Sequence, residues 1–93
     1  MDIRIVVLQR GWVLVGEYHR PNSSLVTKLT RVRNVRRWGT QRGLAQLANE
    51  GPIQGKTVLD DGADAEWHVL AEVMSLKCNE SAWAKHLGPG GTR

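Results

Sequence analysis

Arg36-Arg37-Trp38-Gly39-Thr40, followed at once by Arg42 and Gly43, is the stretch of this chain whose residue types are best suited to chemistry, and that chemistry is anion recognition. Guanidinium groups bind phosphate or carboxylate through paired hydrogen bonds. The Trp38 indole offers a flat surface on which a base can stack, and the amides of Gly39 and Gly43 are unobstructed by side chains. The sequence around them reads as one short helix: Thr40 is placed to act as N-cap and Gly51-Pro52 to stop the helix after about two and a half turns. A helix opening at the tip of a cationic loop aims its free N–H groups and the positive end of its dipole at the place the arginines already favour for an anion. A competing reading packs Trp38, Leu44 and Leu47 into the core and leaves the arginines to solvate the loop.

Catalytic chemistry finds little support. His19, His68 and His86 are isolated, without triad or metal-ligand spacing. Cys78 is the single cysteine, which excludes an internal disulfide and a cysteine zinc site and suits a buried thiol. Gly55-Lys56-Thr57 echoes a phosphate loop, but Glu50 stands where the leading glycine is required. Asp60, Asp61 and Asp64 lie close together but lack the later glutamate of a calcium loop, so they read as a solvated turn. The expectation is a binder with no catalytic residues, metal or cofactor.

Charge is divided along the chain. Between Tyr18 and Asn49 there are seven basic residues and no acid, and from Glu50 onward seven acids face four bases. A chain with separated signs can hold an anion, or dock the basic middle of one copy on the acidic Asp60–Glu66 turn of the next; a homo-oligomer loosened by salt is expected. No apolar run approaches the roughly 18 residues that span a bilayer, and Met1–Leu8 lacks the features of a signal peptide, so no membrane partner and a cytoplasmic location are expected.

The elements that must position the cationic loop are mostly strands. Ile3–Leu8 is a β-branched apolar run, Gln9-Arg10-Gly11 a turn, and Trp12–Tyr18 an alternating strand closing a hairpin. A polar connector, 19–24, leads to a strand from Leu25 that runs on to Val32 or Val35 and delivers the chain into the loop. Lys56–Leu59 is a short strand. Trp67–Leu76 is the last strand, with a helix over Ala65–Leu76 as the alternative. Asn79 caps a helix over Glu80–Leu87, whose Trp83 and Leu87 form one apolar face. With 93 residues, no Phe and one Tyr, Val, Leu and four Trp must fill a thin core, and self-association would bury more of it.

These elements predict a mainly β (α+β) single domain over residues 1–88 with a flexible tail at 89–93. The expected architecture is a small five-stranded bent sheet or barrel of SH3-like or Sm-like type, with one short helix inserted before the fourth strand and a short C-terminal helix. The motifs Arg10-Gly11-Trp12-Val13, Arg36-Arg37-Trp38-Gly39-Thr40, Gly43-Leu44, Gly51-Pro52 and Thr57-Val58-Leu59-Asp60 resemble those of a family of small phage and prophage proteins, over about residues 3 to 83. The resemblance implies a setting among phage accessory genes, in a host cytoplasm, where small binders inhibit host defence and some sequester nucleotide signals. Three functions stay open: a binder of a small anionic ligand, foremost a nucleotide or cyclic nucleotide, at Arg36, Arg37, Trp38, Gly39, Thr40, Arg42 and Gly43; a nucleic-acid-binding barrel using the same strip; and an inhibitor whose cationic face meets an acidic host protein.

Overall fold

The structure, a computed structural model, describes residues 1–20 and 25–88; the expected tail at 89–93 and most of the polar connector, 21–24, lie outside the described residues. Among the described residues six strands carry the fold: β1 (Ile3–Leu8), β2 (Val13–His19), β3 (Val26–Arg37), β4 (Val58–Asp61), β5 (Ala65–His68) and β6 (Glu72–Lys77). Two short helices accompany them, α1 (Gly43–Glu50) and α2 (Glu80–Trp83). The result is a mostly β molecule of small α+β type. All pairings are antiparallel, in the order β4-β3-β2-β1-β6, and β5 adds to β3 beside β4.

β3 is the organising strand because its twelve residues serve three partners. Its first half pairs with β5, its second half with β4, and both halves with β2 on the other edge. Midway the register slips between Val15 and Glu17, where Arg31 adopts φ 54° and one extra residue of β3 faces Gly16. Such a bulge bends the sheet and reverses which residues point inward. Leu29 and Val32 therefore share one core cluster with Val6, Tyr18 and Trp67, whereas Val35 joins the other. Gly16 is required there, since a Cβ would lie 2.6 Å from Thr30 O.

The second cluster fills the space between the sheet and the helices: Ile3, Ile5, Val15 and Val35 meet Leu47, Ala48, Trp83 and Leu87. Trp83 is fully buried and its indole donates to Leu47 O at 3.0 Å, tying α2 to α1. β1 feeds both clusters, Ile3 and Ile5 one and Val6 the other, which is why its second part, Ile5–Leu8, is a continuous apolar run rather than an alternation.

Three expectations need correction. The stretch Trp67–Leu76 is neither one strand nor a helix: β5 and β6 are separated by a 3-10 turn at Val69–Ala71, so six strands stand where five were expected. The turn carries the chain from the edge of β3 to the edge of β1, and the change of partner breaks the alternation. The last helix is a single α turn at Glu80–Trp83 that tightens into a 3-10 turn at Ala84–His86; Asn79 caps it as expected, its side chain accepting from Ser81 N at 3.1 Å. Thr40 is not the N-cap of α1: that place belongs to Arg42.

Candidate anion-binding site

The loop between β3 and α1 is held by backbone contact. Gly39 lies so close to the chain at Lys56 and Thr57 that a Cβ would meet Lys56 C at 2.5 Å and Thr57 N at 2.6 Å, and its φ of +74° is one that side chains disfavour. Thr57 completes the clasp: its hydroxyl donates to Trp38 O at 2.7 Å and accepts from Ile53 N at 2.8 Å. The loop is therefore fixed at Trp38–Gly39 by the segment leading into β4. Thr57 had no place in the sequence-derived site; its appearance in a Thr-Val-Leu-Asp motif was the one signal that could have marked it.

On this loop the Trp38 indole is 41% exposed, neither entombed nor free. Arg36 reaches Asp60 with its Nε 2.9 Å from the carboxylate, while Arg37 is exposed and forms no ion pair with a described residue. Arg42 turns the other way, along α1, and bonds Glu50 at 3.0 Å, with Gln46 joining Glu50 from the next turn. A shallow depression lined by Arg42, Ala45, Gln46, Asn49 and Glu50 follows that pairing. The three guanidinium groups therefore do not converge on one point. Arg36 turns to Asp60, and Arg42 spans the side of the helix to Glu50.

The opening of α1 is polar and uncapped. The Thr40 hydroxyl donates to Gly43 O at 2.8 Å rather than accepting from a helix amide, and no side chain caps the first turn. Arg42 N is satisfied by Gln46 Oε1 at 2.8 Å, whereas the amides of Gly43, Leu44 and Ala45 meet no acceptor among the described residues. Such amides hold partial positive charge that favours an anion.

Two residues outside the sequence-derived set lie at the same end of the sheet. Trp12 comes just before β2, whose Leu14 pairs with Asn34 near the end of β3. Trp12 is 57% exposed, just past the turn that holds Arg10. Lys56 is the other, brought against Gly39 by the clasp.

The acids of the second half lie against the bases of the first. Asp61 pairs with Arg33 and Asp60 with Arg36 across the β3–β4 ladder, and Asp64 accepts from the Arg31 amide at 3.2 Å. A turn that read as free for another copy is taken up within the chain. Among the described residues no group of three or more His, Cys, Asp or Glu could hold a metal ion, and no helix is long and apolar enough to cross a membrane. Comparison with protein-family models, curated proteins and solved structures finds no match for this chain.

Proposed function

We propose that this chain is a non-enzymatic binder of a small phosphate-bearing ligand, a nucleotide or cyclic nucleotide, taken up where the β3–α1 loop opens into the helix of a small SH3-like fold. In this reading Arg37 meets phosphate from the strand side while Arg36 stays paired with Asp60, the amides of Gly43–Ala45 meet it from the helix side, and Trp38 stacks on the base. Thr40, bonded to Gly43 O, and Gly39, clasped to Lys56, hold the loop in place. The carrying observation is the uncapped start of α1 beside an exposed Trp38 and an Arg37 that has no acidic partner among the described residues. The resemblance to phage accessory proteins adds a setting in which sequestering a nucleotide signal blunts a host defence.

Calorimetric titration of adenosine monophosphate and a cyclic dinucleotide into wild type and Arg37→Glu tests the reading. The substitution lowers affinity by at least about tenfold, because it removes a charge-assisted hydrogen bond and sets a like charge against phosphate. Exposed as Arg37 is, the melting temperature stays within about 2 °C. Undiminished binding in Arg37→Glu, or no binding by wild type, refutes it.

A polynucleotide is the second reading, and Trp12 favours it: a second exposed indole would stack a second base. Its mark is an affinity that falls steeply with salt and grows with oligonucleotide length.

A further inference from the structure

β6 ends the sheet, hydrogen-bonded to β1 on one side and to no described strand on the other. Edge strands are usually protected by charge, proline or a covering segment. Here the edge is apolar: Val73 is 61% exposed, Met74 47%, and Leu70 in the preceding turn 76%.

The hydrogen-bonding groups of this edge can be assigned residue by residue. Cys78 donates its amide to Ile3 O in the β1–β6 ladder, and the alternation of an antiparallel ladder then turns the N–H and C=O of Lys77 and Ser75 away from β1. We propose that these groups pair β6 antiparallel with β6 of a second copy, across a two-fold axis at Ser75. The register sets Met74 opposite Leu76 of the partner subunit, twice over, on one face of the joined sheet. It also lays Lys77 across from Val73 of the partner subunit, next to Glu72 of the partner subunit. Glu72 is a fixed charge, accepting from the Tyr18 hydroxyl at 3.0 Å and from the Trp67 indole at 3.2 Å.

The second copy is the occupant because the strand complements itself. An acid at one end, a base at the other and an apolar middle are matched by the same strand reversed, and a two-fold interface requires that self-match. Ionic docking of the basic middle on the acidic turn is a poorer route, since Asp60 and Asp61 are already paired within the chain. This inference is independent of the anion site, which lies on other elements.

Sedimentation equilibrium of the full chain, from micromolar to millimolar protein and at low and high salt, tests it. The wild-type mass climbs towards twice that of the chain as concentration rises, and salt alters the dissociation constant by less than about threefold, because backbone pairing and apolar contact dominate. Ser75→Pro removes one outward N–H without breaking the ladder to β1 and weakens association at least about tenfold. Lys77→Glu sets carboxylates together at both ends of the interface and weakens it about fivefold or more. Circular dichroism melts check that each variant folds, and Lys77→Glu decides the matter if Ser75→Pro does not. A wild type that stays monomeric throughout, a dimer dissolved by salt, or variants that associate as wild type does overturn the proposal.

Discussion

Cys78 sits in the cluster with Ile3, Ile5 and Trp83, and burial pushes its thiol up to about 12. The sequence suits a lone, buried thiol there, and the packing buries it. The unfolded thiol ionises near 9.0 while the folded one stays protonated to about 12, so above pH 9 the unfolded state binds fewer protons and stability falls as pH rises. Wild type therefore loses melting temperature between pH 8 and pH 11 more steeply than Cys78→Ala, a comparison that cancels the other alkaline titrations; equal slopes would contradict it. Elsewhere at this scale the sequence was a mixed guide. Trp83 as the packing face of a short helix was legible from its spacing to Leu87. The role of Thr40 was not, because a hydroxyl can donate as well as accept, and here it donates to Gly43 O.

At the scale of elements, β1, β2 and the long β3 were legible because their apolar runs and alternation persist over six residues or more. β5 and β6 were merged, since a strand that changes partner across a three-residue turn loses its period without a glycine or proline to mark the break. The helix of the site was placed correctly at its end, where Gly51 N closes on Leu47 O at 2.9 Å, but was started too early. What fixes its entry is a contact far along the chain, the clasp of Gly39 against Lys56 and Thr57. Gly39→Ala must displace backbone or abandon the positive φ, so it costs roughly 2–3 kcal/mol and frees the loop. Chemical denaturation measures the loss, and Trp38 emission reports the altered loop; a variant as stable as wild type would show that the clasp is not holding the site.

For the molecule as a whole, the division of charge was plain in the sequence, and its meaning was not. Composition shows a basic middle and an acidic second half, but only the topology, with β4 laid along the end of β3, brings Arg33 to Asp61 and Arg36 to Asp60. Part of the positive field is thereby balanced inside the chain. Arg37 and Lys56, which flank the loop and the clasp, form no ion pair with a described residue, and neither do the exposed Arg10, Lys28 and Lys77 elsewhere in the chain. Of the seven residues expected from sequence to form a site, Arg42 is set apart along α1, bonded to Glu50, and Thr57, outside that set, holds the Trp38 carbonyl.

The most direct test of that site is a proton–nitrogen correlation titration of the labelled chain with adenosine monophosphate. Saturable shifts of the Gly43, Leu44 and Ala45 amides together with the Trp38 indole are expected, while the amides of β6 stay unmoved. Saturable shifts confined to other residues, or none at millimolar nucleotide, would contradict the proposed site.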